Sequence, residues 1–190
     1  MKHAARAAAL SLLAAVLAVP ALWATTALER SETDLIQEAS VIVTGRCTGL
    51  QSQWLDRALV TVATISVSEV LKGQAGSELT VVLPGGIDSN RPVPVAMTFA
   101  GAPEIRQGEE VLLFLTPEGR LADGLAVVGF SQGKYTVVQA AGGEKVATQD
   151  LSALNLQTGE GAVRRGGSKA IGLRQLRRTI RETPAAGRQQ

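Results

Sequence analysis

Apolar and polar positions alternate most clearly over residues 58–73, Ala-Leu-Val-Thr-Val-Ala-Thr-Ile-Ser-Val-Ser-Glu-Val-Leu-Lys-Gly. Its β-branched residues at a period of two predict the longest strand of the chain. The phase of the alternation changes within it. Val60 and Val62 share one face, whereas Ile65, Val67 and Leu71 share the other, which places a β-bulge near Ala63 or Thr64. A long strand bent in this way wraps a sheet into a small barrel and gives side chains to both halves of the core.

Ser31-Glu-Thr-Asp34 has the form of a capping box, and Leu35, Ile36 and Ala39 give the short helix behind it one apolar side. A strand is predicted over residues 40–49, followed by a polar connection with Trp54 and Asp56, and then by the long strand. Leu79, Val81 and Leu83 point inward from a strand over 78–83, stopped by Pro84-Gly85-Gly86. Residues 87–106 are the least regular segment, because Pro92, Pro94 and Pro103 exclude a helix or a central strand over most of it. It has room for a short edge strand over 95–99, and a loop of that length is either functional or loosely held. Residues 110–115 are apolar on both faces, so both faces must be covered. Shorter strands are expected at 125–130, 134–139 and 145–148. A linker over 151–167 leads to a last helix, capped by Ser168 and stopped by Pro184. Leu173, Leu176 and Ile180 make its apolar side; Arg174, Arg177, Arg178 and Arg181 occupy the rest of its surface.

The first residues change the compartment. Lys2, His3 and Arg6 precede an apolar run over 7–24 and then small residues, the pattern of a secretory signal peptide. Cleavage after Ala27 places Thr25 and Ala27 at the two small-residue positions; cleavage after Ala24 is the second choice, because it puts Leu22 at the first of them. The expected divisions are a signal peptide over 1–27, a barrel domain over 28–150, a linker over 151–167, and a basic helix and tail over 168–190. The protein is then secreted or periplasmic. Processing removes Lys2 and Arg6, so 17 basic residues balance 17 acidic ones. The charge is unevenly placed: residues 164–190 hold eight basic and one acidic, against nine basic and sixteen acidic over 28–163. An acidic body carries a basic tail.

Processing also removes His3, the only histidine, and leaves Cys47 as the only thiol, so no internal disulfide forms in an oxidising compartment. Cys47 shares the phase of Val41 and Val43 and reads as a small core residue. Gly129-Phe-Ser-Gln-Gly133 has the letters of a nucleophile elbow and is similar to that of carboxylesterases and acyl-thioesterases, but a strand follows it where an elbow needs a helix, and no histidine is left to take the serine proton. A hairpin turn explains the motif. One cysteine, no histidine and no paired acids at ligand spacing exclude a zinc site, and no cofactor is expected. Nucleic acid is excluded as a partner because the body is acidic and carries only Trp54, Phe99, Phe114, Phe130 and Tyr135 as aromatics.

The combination of Ala39-Ser-Val-Ile-Val-Thr-Gly-Arg46, a long strand closing on Glu69-Val-Leu-Lys-Gly73, and a Gly-rich stop resembles the N-terminal OB-like barrel of tissue inhibitors of metalloproteinases and netrin-like modules. It looks more like uncharacterised exported bacterial proteins that add a Gly-Glu-x-Val-Leu-Leu-Phe-Leu strand, here 108–115, and a Ser-Gln-Gly-Lys-Tyr hairpin, here 131–135. The resemblance covers about residues 35–138. It implies a mainly β fold: a small OB-like β-barrel with a short N-terminal helix and a C-terminal amphipathic basic helix. The inhibitors' zinc-chelating N-terminal cysteine has no counterpart here, so any inhibition has to use another surface. The expectation is a non-enzymatic module that binds an extracytoplasmic protein, with an exported protease among the candidates, through Asp88, Asn90, Arg91, Pro92 and Pro94 of the 87–106 loop. The alternative is an envelope-associated structural protein held on an anionic surface by Arg174, Arg177, Arg178 and Arg181.

Overall fold

The computed structural model describes residues 25–184. Strand β1 (Thr25–Leu28) leads into helix α1 (Glu32–Glu38), and two long strands follow, β2 (Val41–Leu55) and β3 (Ala58–Lys72). After these come β4 (Glu78–Pro84), β5 (Gly86–Asp88), β6 (Val95–Met97), β7 (Glu110–Pro117), β8 (Gly124–Val127), β9 (Lys134–Gln139), β10 (Lys145–Asp150), β11 (Leu154–Gln157), β12 (Val163–Arg165), β13 (Ser168–Gly172) and helix α2 (Leu173–Glu182). The capping box closes α1: Ser31 Oγ accepts the Asp34 amide at 3.1 Å, and the Asp34 carboxylate accepts the Ser31 amide at 2.9 Å.

Five strands close on themselves. β2 pairs with β3 and β3 with β4; β4 runs parallel to β8, β8 pairs with β7, and β7 returns to β2. This is the OB-like barrel expected from the sequence. Val43, Cys47, Ala63, Ile65, Val81, Val111, Leu113 and Leu115 fill its interior. Cys47 is there as a buried free thiol, and burial raises its pKa.

β7 explains why residues 110–115 are apolar on both faces. Val111, Leu113 and Leu115 point into the barrel, whereas Leu112 and Phe114 point into a second core. The sheet continues from β7 through β9 and β10 to β13, and both helices pack on this extension. Leu35 and Ile36 of α1 meet Leu173, Leu176 and Ile180 of α2 over Phe114 and Tyr135, whose rings lie 5.8 Å apart. Side chains buried to this extent contribute about 1.5–3 kcal/mol each relative to exposure.

Four expectations need correction. The bulge lies opposite the predicted site, at Thr48 of β2, which is skipped between the pairs Cys47–Ile65 and Gly49–Thr64. Ala63, Thr64 and Ile65 stay in unbroken register with β4, so β3 keeps its phase there and puts Leu59, Ala63 and Ile65 inward. Two further shifts pass over Ser68 and Leu71, coiling β2 and β3 tightly around Gly45, where a Cβ would stand 2.5 Å from the Ser66 carbonyl oxygen. The polar connection is no loop either: β2 runs on to Leu55, and a two-residue turn with Asp56 at φ 54° starts β3.

The predicted linker contains β11 and β12, which form a three-stranded sheet with β1. Leu151, Leu154 and Leu156 bury its inner face with Ala27 and Phe130. Finally, the last helix begins at Leu173 rather than at Ser168. Residues 168–172 are engaged in pairing with β10, and Ser168 donates to Asp150 instead of capping, so Gly172 opens the helix without a side-chain cap.

Candidate functional site

The irregular segment after β4 is organised by one turn and one carboxylate. Gly85 sits at φ 91°, and a Cβ on it would meet the Met97 carbonyl oxygen at 2.7 Å, so only glycine makes the turn. β5 and β6 then pair as a hairpin from Gly86–Met97 to Asp88–Val95. The edge strand expected over 95–99 is therefore present over Val95–Met97. The hairpin rests on the far end of the β2–β3 ribbon, where the Ile87 amide donates to Ser52 Oγ at 3.0 Å and Thr61 Oγ1 donates to the Gly85 carbonyl at 2.8 Å.

Asp88 ties the tip to that ribbon. Its Oδ2 accepts Trp54 Nε1–H at 2.8 Å and Arg91 Nε–H at 2.9 Å, and its Oδ1 accepts the Asn90 amide at 3.1 Å. The Arg91 guanidinium also lies 5.1 Å from the centre of the Trp54 ring, in cation–π reach. The Trp54 hydrogen bond, followed by those of Arg91 and Asn90 and by the Arg91 charge, holds the Asp88 carboxyl below the usual range. Pro92 and Pro94 fix the backbone of the tip and offer no N–H.

Of the residues singled out from sequence, Asp88, Asn90 and Arg91 form this internal clamp, and Pro92 and Pro94 stiffen the tip. The surface offered to solvent is made by others: Ile87 is 60% exposed, Val93 75% and Phe99 45%. The sequence carries a signal for them, since Ile87 and Val93 are large apolar residues among turn formers with no partner in either period.

The arginines of α2 are largely answered by the acidic body. Arg174 pairs with Glu144 at 2.9 Å, Arg177 with Glu69 at 3.0 Å, and Arg181 with the same Glu69. Arg178 is exposed and has no ion pair among the described residues. The charge asymmetry read along the chain is thus partly cancelled in space.

Ser131 lies in the turn between β8 and β9, and a strand, not a helix, follows it. Gln132 of the same motif fastens the start of the domain to this turn, because its Oε1 accepts the Arg30 amide at 2.8 Å and its Nε2 donates to the Leu28 carbonyl at 2.9 Å. Phe130 holds φ 66° with its ring packed on the small third core. Among the described residues there is no group of metal-binding side chains and no helix long and apolar enough to cross a membrane. No family model matches the chain, and no curated protein is similar enough to count as a match.

Proposed function

We propose that this protein is an exported, non-enzymatic module that binds another extracytoplasmic protein through the β5–β6 hairpin and Phe99. The observation carrying this reading is the exposure of Ile87 and Val93 on a hairpin that is otherwise fixed, by Trp54, Asp88 and Arg91 on one side and by two prolines at its tip, with Phe99 exposed just beyond it. Exposed apolar side chains grouped on one rigid element are characteristic of contact surfaces. Rigidity also reduces the ordering cost of binding. Export enters with a revised cut site. Thr25 to Leu28 all pair with β11, so cleavage after Ala24 keeps every one of these pairs, whereas cleavage after Ala27 leaves only that of Leu28.

The test replaces residues 89–94 by Asn-Gly, a two-residue turn suited to joining the paired Asp88 and Val95. The tagged domain from Thr25 onward and this variant are each used to capture exported proteins of the native host. One protein recovered at near-equal stoichiometry with the parent and lost with the variant, at an unchanged melting temperature, is the expected result. Equal recovery with both removes the hairpin from the interface.

A further inference from the structure

A second site lies away from the hairpin. Between the barrel and the sheet extension is a cleft of about 820 Å³, floored by β9 and β10 and walled by residues 99–107 and 151–154. That volume suits a small ligand or a few residues of a peptide. Its floor contains a neutralised ion pair. Lys134 Nζ donates to Glu109 Oε1 and to Thr136 Oγ1, both at 2.6 Å, the Thr136 hydroxyl donates on to Glu109 at 2.5 Å, and the Arg106 amide donates to Glu109 Oε2 at 2.8 Å. Burial raises the Glu109 carboxyl, but the hydrogen bonds from Lys134, Thr136 and Arg106 outweigh it, and the pair stays charged and mutually satisfied.

Beside this pair the fold leaves three polar side chains with unused lone pairs, while Glu104 and Arg106 stand exposed at the rim. Ser131 is 8% exposed, and its hydroxyl has no partner among the described residues; Gln149 is 3% exposed and uses its Nε2 on the Gln132 carbonyl, leaving Oε1 without a donor. Asp150 takes the Ser152 amide and the Ser168 hydroxyl on Oδ1 and has no ion pair among the described residues. All three line the cleft, where Phe99, Pro103 and Leu154 supply an apolar stretch next to the charged Glu104 and Arg106. Hydrogen bonds from Ser152 and Ser168, and after them the Lys134 charge, hold the Asp150 carboxyl below its usual range, so it stays ionised; open acceptors beside an ionised carboxylate suit a cation that donates several hydrogen bonds.

We infer that the cleft binds an alkylammonium group, with the ammonium at Asp150, Ser131 and Gln149 and its aliphatic stem against Phe99, Pro103 and Leu154. A protein partner presents this chemistry as a lysine side chain, and in that respect alone the inference rests on the protein-binding reading. Phe99 belongs to both surfaces, so a partner held by the hairpin has a lysine within reach of the cleft as its second anchor.

The test follows backbone amide signals of the ¹⁵N-labelled domain from Thr25 onward during titration with n-butylammonium, with acetyl-Gly-Lys-Gly-amide, and with n-butanol as the uncharged isostere. Signals of residues 131–136 and 148–154 are expected to move and saturate with both ammonium probes and to stay in place with the alcohol. Asp150→Asn, which keeps the acceptor for Ser152 and Ser168, is expected to weaken binding by about tenfold or more, and Ser131→Ala by less. The Asn-Gly hairpin variant binds the probes as the parent does, so loss of the partner site and loss of the cleft site are read separately. Movement with the peptide but not with the amine assigns the site to the peptide backbone and overturns the inference. Equal response to butanol, or an Asp150→Asn variant that folds and binds unchanged, overturns it as well.

Discussion

Replacing Ile87 and Val93 together by serine isolates the contribution of the exposed hairpin surface. Fully burying a Val or Ile side chain is worth about 1.5–3 kcal/mol. With 60% of Ile87 and 75% of Val93 still exposed, the part left for a partner to cover is about 1–2 kcal/mol at each position. If the two act independently, the double variant loses about 2–4 kcal/mol, or roughly 30- to 1,000-fold in Kd. Neither side chain belongs to a core cluster. Folding stability should therefore change by less than about 1 kcal/mol, which in a domain of this size is about 2–4 °C in Tm. The assay pairs calorimetric titration against the captured partner with a thermal melt of each variant. A folded variant that loses less than about threefold in affinity would refute the reasoning. So would an affinity loss accompanied by a Tm fall beyond about 8 °C, because the side chains would then be supporting the fold rather than meeting the partner.

Phe114→Ala empties the middle of the helix-covered core, where Phe114 is fully buried against Tyr135; urea denaturation should show a loss of about 3–5 kcal/mol. A domain starting at Leu28 lacks the pairs of Thr25, Thr26 and Ala27 with β11 and the packing of Ala27 on the third core. It should be about 1–3 kcal/mol less stable than one starting at Thr25, and the intact mass of the exported protein should correspond to Thr25 as its first residue. Because Glu109 is held below its ordinary value of 4.5 in the folded state, its stabilisation is complete above that pH and is lost as pH falls through the lower folded value. Glu109→Gln should flatten this acid limb of a stability–pH curve.

The residues most legible in the sequence are those whose environment is set by local period or local chemistry. Ser31 and Asp34 announce α1 because a capping box closes within four residues. Residues 111–115 announce an element covered on both faces because five consecutive apolar side chains leave no face for solvent, and Cys47 announces its burial by sharing a phase with Val43. The candidate site is legible only as a segment. Asp88 and Arg91 look like contact residues in a polar loop, and nothing local says that Asp88 turns inward to accept hydrogen bonds from Arg91 and from Trp54, distant in sequence. The bulge is misplaced for a related reason: a change of apparent phase in β3 points to an inserted residue there, whereas the inserted residue is Thr48 on its neighbour.

The sequence by itself determined the mainly β class, the long strand β3, the two helices and the apolar stripe of α2, since alternation and helical spacing are properties of each segment alone. Only the tertiary structure decided the rest. Parallel pairing of β4 with β8 and of β1 with β11 joins segments whose sequences carry no mark of each other, and it turned a supposed linker into a third sheet. The charge imbalance along the chain became ion pairs between α2 and the acids Glu69 and Glu144, because folding brings distant charges to within a few ångströms. The open acceptors of Ser131, Gln149 and Asp150 are likewise a product of closure: hydrogen-bond satisfaction depends on which groups the fold brings near and which it leaves apart.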